Sequence, residues 1–320
     1  MILTFTPNPA IDATLVIDEP LSRGEVHRPS QALRNPGGKG VNVSHALVKA
    51  GVETTALVPA APTDTFVNLA NASNIPLMPV AVQGNVRTNT AITEPDGTTT
   101  KVNELGAPLI PADVQRLADQ LLTASADARA VVLAGSLPPG APVDWYPQLV
   151  KMLRSQNPAL LIAVDTSDDP LVQLGQQLRT SAPNVLKPNA FEVAQLTGDD
   201  GYALEASAEA GDFIPVFEAG KQLLAAGIDE LLITLGGAGA CLVTREGAWS
   251  ATPPPTEVHS TVGAGDSSLA GYLIGRVSGL EFPECLRLAV AYGSAAAGLP
   301  GTEIPTREQA NISQTIVSQL

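Results

Sequence analysis

Short, nearly uninterrupted apolar runs recur along the chain: Ile2 to Phe5, Ala56 to Val58, Ala130 to Ala134, Leu160 to Val164, Asn184 to Leu186 and Leu231 to Leu235. Runs of this length, bounded by turn residues, read as strands, and helical stretches separate them. Strands alternating with helices predict right-handed βαβ units and a doubly wound α/β fold, a mostly parallel sheet with helices on both faces. Two segments depart from the pattern, 14–34 and 85–104. Polar and apolar residues alternate there, and Pro95-Asp96-Gly97 marks a turn, which predicts antiparallel strands outside the main sheet. Neither carries enough apolar surface for a core of its own. They are either a small β lid or dimerisation patch, or ordinary edge hairpins. Residues 1–320 therefore read as one domain with lid strands inserted at 14–34 and 85–104.

Composition narrows the function. The 320 residues are 44% hydrophobic but only 4% aromatic, so the core must be built from Ala, Val, Leu and Ile, as where helices pack on a parallel sheet. The net charge of −14, without any Lys or Arg run, excludes nucleic acid and anionic membranes as partners. Anionic metabolites would need local cations, which directs interest to Lys39, Arg87 and Lys101. Cys241, Cys285 and the dispersed His27, His45 and His259 form neither a disulfide framework nor a zinc-ligand spacing, and a reducing cytoplasm is expected. The N-terminal residues have no signal-peptide pattern, and no run reaches transmembrane length. Asp199, Asp200, Glu205 and Glu209 within 198–211 read as a solvated acidic loop or frayed helix.

The strongest chemical signal is Thr261-Val262-Gly263-Ala264-Gly265-Asp266-Ser267, a glycine-rich turn feeding a helix. Side chains this small let consecutive backbone amides converge on an anion at a helix N-terminus, where a transferring phosphoryl group would be stabilised. Asp266 is either the cap of that helix or the base that accepts the proton of an attacking hydroxyl. Thr234-Leu235-Gly236-Gly237-Ala238-Gly239 lacks the dinucleotide fingerprint and is either a hairpin or a nucleotide-contacting loop. Gly37-Gly38-Lys39-Gly40-Val41-Asn42 opens a helix but lacks the Walker spacing; Lys39 and Asn42 offer donors to a small polar ligand. Asp12 follows the Pro7-Asn8-Pro9 turn and suits sugar hydroxyls, or is a turn residue. Asn189 and Glu192 suit magnesium, directly or through water, or form a capping box.

In this order, the segments Thr6 to Asp12, Gly37 to Asn42, Lys187-Pro188-Asn189 with Glu192, and Thr261 to Ser267 resemble the ribokinase-like carbohydrate kinases, or phosphofructokinase B family, over almost the whole chain. Arg87-Thr88-Asn89 and Glu94 to Glu104 most resemble its branch acting on fructose 1-phosphate; tagatose-6-phosphate kinases and minor 6-phosphofructokinases are close relatives. The resemblance implies ATP-dependent phosphorylation of fructose 1-phosphate to fructose 1,6-bisphosphate, with Mg2+, in a fold with a small β lid that commonly mediates dimerisation. It implies Asp266 as base and Gly263, Ala264 and Gly265 as anion hole. Asp12, Gly38, Lys39, Asn42, Arg87 and Ser136 would hold the sugar phosphate. Lys187, Thr234, Gly236, Gly237, Gly239, Gly293 and Ser294 would border ATP, and Asn189 and Glu192 would organise the metal. A homodimer through the lid follows from the same resemblance. A catalytically silent nucleotide- or sugar-binding regulator is the alternative of another class, and the intact Asp266 argues against it.

Overall fold

The computed structural model describes residues 1–320. Its strands are β1 (Ile2–Phe5), β2 (Ala10–Val16), β3 (Gln31–Gly37), β4 (Thr54–Pro59), β5 (Leu77–Val80), β6 (Arg87–Thr93), β7 (Thr99–Asn103), β8 (Ala130–Ala134), β9 (Leu161–Asp165), β10 (Val185–Leu186), β11 (Glu230–Thr234), β12 (Ala240–Thr244), β13 (Ala248–Thr252) and β14 (Ile316–Gln319). Ten of them form one sheet in the order β14-β13-β12-β11-β10-β9-β8-β1-β4-β5. It is parallel from β5 to β11, and β12 to β14 add antiparallel strands at one edge. The helices cover both faces, as the alternation within the strands requires: Leu3, Phe5, Val131 and Leu133 enter one core, while Ile2, Ala130, Val132 and Ala134 enter the other.

All six predicted runs lie on main-sheet strands, two with the same bounds and four differing by one or two residues at their ends. The runs at β5, β13 and β14 were not recognisable as strands, because β5 and β14 are edge strands of four residues and β13 is mixed in polarity. The chain turns from β1 to β4 and β5 on one side, then to β8 and β9 on the other, so the order reverses at β1. A crevice beyond the carboxyl ends of β1 and β8 is where such sheets bind ligands.

The second sheet runs β3-β2-β6-β7. Its strands begin earlier and end later than the 14–34 segment, at Ala10 and Gly37, with Ile17 to Ser30 between them outside any strand. The antiparallel expectation holds for β2 with β3 and β6 with β7, but the central pair, β2 with β6, is parallel. The turn at Pro95-Asp96-Gly97 closes as expected: Gly97 has φ 89° and Thr98 N donates to Asp96 Oδ1 at 2.9 Å.

Of the loop and helix readings of residues 198–211, the structure takes the helix. It spans Gly201–Glu209 and is begun by Asp200, whose Oδ1 accepts from Tyr202 N at 2.9 Å. Leu204 and Ala208, four residues apart, bury the inner face while the acidic residues mark the outer one. No helix is long and apolar enough to cross a membrane.

Candidate active site

The helix Ala264–Val277 begins at Gly263, whose φ of 78° lies in the left-handed region where glycine is favoured. Gly263 is thus the cap, Asp266 is the third helical residue, and no side chain caps the first turn. The amides around Gly263, Ala264 and Gly265 are those that lack acceptors within a helix. Asp266 is buried, and its Oδ2 accepts a hydrogen bond from Asn42 Nδ2 at 2.8 Å. Burial, and then the neighbouring charge of Asp165, raise its pKa to about 6, against the opposing pull of Lys39, the Asn42 bond and Lys187. A carboxylate poised near neutrality beside uncapped amides can take a proton from a hydroxyl as charge develops on a neighbouring anion.

Asn42 and Lys39 lie one turn apart on the helix Lys39–Lys49. The turn before it is tight: a side chain at Gly40 would put Cβ 2.4 Å from Thr6 Oγ1, and Gly38 (φ 108°) lies against Thr6 and Pro9. Lys39 Nζ reaches Asp165 Oδ1 at 2.6 Å, and Lys187 Nζ stands 3.1 Å from Oδ2. The second contact is an ion pair by distance, without hydrogen-bond alignment. Lys187 also lies against Gly265, where a Cβ would be 3.2 Å from Nζ. Asp165 is the member of this cluster that motif reasoning missed. Its signal was a lone carboxylate directly after the apolar run Leu160 to Val164, at the carboxyl end of a parallel strand. Two ammonium groups hold its pKa below the ordinary carboxylate value although burial opposes this.

On the second sheet, the register sets Asn35, Asp12, Asn89 and Asn103 in one row across all four strands. Asn89 Nδ2 donates to Asp12 Oδ1 at 3.1 Å, and Asn35 Nδ2 donates to Thr302 Oγ1 at 3.0 Å. Burial raises the pKa of Asp12. Arg87, two residues before Asn89 and so on the same face, donates to Ser136 Oγ at 3.3 Å and to Glu104 O at 3.1 Å. Ser136 Oγ also receives Asn8 Nδ2 at 3.2 Å, so β1, β8 and the small sheet meet at the crevice. Arg87 Nε is buried and has no acceptor. Lys101 lies across from Ala91 in the next row, and its charge reaches Asp12.

Thr234 ends β11, and Gly236–Ala238 form a single helical turn before β12. The segment joins the antiparallel pair β11 and β12, and Gly239 is fixed by close approach, since a Cβ there would lie 1.9 Å from Ala251 O. Asn189 and Glu192 form the capping box, with Glu192 N donating to Asn189 Oδ1 and Asn189 N to Glu192 Oε2, each at 2.9 Å. Glu192 Oε1 is uncommitted, and the charges of Lys39 and Lys187 act on this carboxyl. Gly293 lets the helix Phe282–Ala297 approach the helix Ala264–Val277, with Ala264 O 3.2 Å from where its Cβ would stand, and Ser294 Oγ lies 2.7 Å from Thr256 Oγ1.

A doubly wound sheet, a glycine-led helix with a buried carboxylate and a polar second sheet thus enclose one cleft. Residues 6–309 match the model of the pfkB family carbohydrate kinases, and the chain belongs to that family. It is similar to a protein named 1-phosphofructokinase from Haloferax volcanii, 34% identical over 99% of this chain and 97% of that one. It is also similar to 1-phosphofructokinase of Escherichia coli, at 32% over 96% and 94%. Among solved structures, phosphofructokinase-2 from Escherichia coli in complex with fructose-6-phosphate superposes with a TM-score of 0.84 at 26% identity, over 97% of this chain and 96% of that one.

Proposed function

We propose that the chain transfers the γ-phosphoryl group of ATP to the free 6-hydroxyl of fructose 1-phosphate, giving fructose 1,6-bisphosphate and ADP. The observation carrying a phosphorylated acceptor is Arg87: a half-buried guanidinium on the polar face of the small sheet, whose buried Nε lacks an acceptor. The ketohexose and its 1-phosphate rest on the relatives' names and their near-complete overlap with this chain. The fructose-6-phosphate complex of a similar structure supports a second reading, 6-phosphofructokinase activity. ADP release measured against fructose 1-phosphate, fructose 6-phosphate and tagatose 6-phosphate separates them. Fructose 1-phosphate should give the highest kcat/KM; a higher value for either other sugar overturns the substrate, and no release with any overturns the enzyme.

In this reading Asp12, with Asn89 fixing one oxygen, orients sugar hydroxyls, while Arg87 and Ser136 receive the existing phosphate. Gly38 and Asn42 shape the same wall, and Asn42 also holds Asp266 in place. Asp266 takes the proton of the attacking hydroxyl. The amides of Gly263, Ala264 and Gly265, with Lys187 beside them, face the migrating charge, and Lys39 adds a second cation through Asp165. Thr234, Gly236, Gly237 and Gly239, with Gly293 and Ser294 across the helix start, border the nucleotide. Positioning and fixed charge supply most of the acceleration.

Glu192 fits a hydrated Mg2+ better than direct ligation by Asn189, since Asn189 Oδ1 and Glu192 Oε2 serve the cap and Oε1 is left to order a metal-bound water. When bound, the ion supplies charge neutralisation on the nucleotide phosphates. The small sheet doubles as a dimerisation patch in this reading, supported by the exposed Leu33, Val102 and Leu105, and the two buried free thiols suit the cytoplasm.

Two outcomes test the assignments. Arg87→Ala should raise the KM for fructose 1-phosphate by about tenfold or more, the scale of a lost charge-assisted contact, with little change for ATP; an unchanged sugar KM removes Arg87 from the site. A base must be ionised, and the Asp266 pKa is raised to about 6. Thus kcat/KM should be level above that pH and fall about tenfold per unit below it. Activity level down to pH 4.5 would exclude Asp266 as the base.

A further inference from the structure

At the opposite end of the sheet from the catalytic crevice lies a cavity of about 290 Å3. Leu161, Asn184 and Glu230 line it at the amino ends of β9, β10 and β11, with Arg129 just before β8. Arg276, from the last turn of the catalytic helix, completes the wall. The same four strands end at Ser136, Asp165, Lys187 and Thr234, so every element lining this cavity also supplies the active site.

The charge here is unusual for the chain. With 18 basic residues against 32 acidic ones, most of the surface repels anions. Yet Arg129 and Arg276 share this cavity, and Arg154 stands behind it, donating to Asn184 Oδ1 at 2.8 Å. Arg129 is exposed at the mouth and forms no ion pair or side-chain hydrogen bond. The charge of Glu230 is balanced by Arg276, which leaves Arg129 as the unpaired charge of the cavity. Glu230 Oε1 accepts from Arg276 Nη2 at 2.6 Å, and its Oε2 accepts from Arg276 Nε at 2.9 Å and from Tyr272 Oη at 2.6 Å. Those bonds, with Phe282 4.8 Å beneath the guanidinium, fix Arg276 and leave Nη1 without a partner. Asp229, beside the mouth, is engaged by Asn184 Nδ2 at 3.1 Å and Arg245 at 3.6 Å.

We propose that this cavity is a second ligand site, for a small anion bearing a phosphate or carboxylate group, held by Arg129 at the mouth and Nη1 of Arg276 at the wall. It is separate from the sugar and nucleotide sites, and its occupant would bear on them through the shared strands and the catalytic helix.

Calorimetric titration of the full chain with inorganic phosphate, and in a parallel arm with succinate, tests this. Arg129 is exposed and outside the catalytic machinery, so Arg129→Ala and Arg129→Glu should fold and keep the basal kcat. At least one anion should bind wild type in a step that survives Arg87→Ala, weakens about tenfold in Arg129→Ala and further in Arg129→Glu. Phosphate binding alone identifies a phosphoryl site, and binding of both anions a general one. Undiminished binding in both Arg129 variants, loss in Arg87→Ala alone, or no binding of either anion overturns the proposal.

Discussion

Asp266→Asn should lower kcat by about 10²-fold or more, the scale of a lost general base, while ATP binding stays nearly intact. Asparagine keeps the shape and can still accept the bond from Asn42, so the substitution removes charge and basicity without opening a cavity. It should also stabilise the folded chain. The folded pKa of Asp266 is raised to about 6 from an ordinary 3.8, so above pH 6 the ionised group is held where its charge is disfavoured. That cost is absent below 3.8, where both states are protonated, and full above 6. Urea unfolding should therefore show the variant more stable at pH 7, on the order of 1–3 kcal/mol, with the gain fading between pH 6 and 4. A kcat loss below about tenfold would remove Asp266 as the base. Lower stability at pH 7 would show that its charge is welcome where it sits.

Asp266 was legible from its motif, but what its charge costs the fold was not, because that cost depends on burial and on Asp165. Buried hydrophobic strands declare themselves in one dimension, because a parallel strand covered on both faces is an apolar run wherever it occurs. The glycines declare themselves too, since Gly38, Gly40 and Gly263 stand where a side chain would collide or the backbone turns left-handed. The partners of the charged residues do not. Asp165 is one carboxylate after a strand, and nothing local says that Lys39, 126 positions away, would reach it. The helix at 201–209 could not be separated from a loop for a different reason: only Gly201, Leu204 and Ala208 mark its buried face, too few positions to show a helical period among four acidic residues. For Asn189 and Glu192 the spacing was legible and its meaning was not, because a capping box and a metal-water support use the same residues. The parallel pairing of β2 with β6 was equally silent, since alternation gives the face of a strand but not its direction.

Asp165→Ala should produce the opposite stability effect in the same cleft. The carboxylate is 1% exposed and lies between Lys39 and Lys187, whose side chain is only 5% exposed. Removing it leaves Lys187 buried without its anion and sets two ammonium groups against each other, a loss of about 3–5 kcal/mol when one member of a buried pair is deleted. The pH signature also differs from that of Asp266. The Asp165 pKa is lowered in the folded chain, by the two lysines against burial. Its contribution is therefore fully present above the ordinary 3.8 and is lost only as pH falls through the lower folded value. Urea unfolding at pH 7, 5 and 4 should show a deficit for Asp165→Ala that persists to pH 4 and is largest there, because losing the Asp165 charge also relieves the ionised Asp266 at pH 7. Asp165→Asn, which keeps an acceptor for Lys39 but no charge, should fall between wild type and alanine. A deficit below about 1 kcal/mol would mean that the lysines relax into solvent, as an exposed pair would. In that case Asp165 would not be what keeps Lys187 beside Gly265, and that ammonium group would need another anchor.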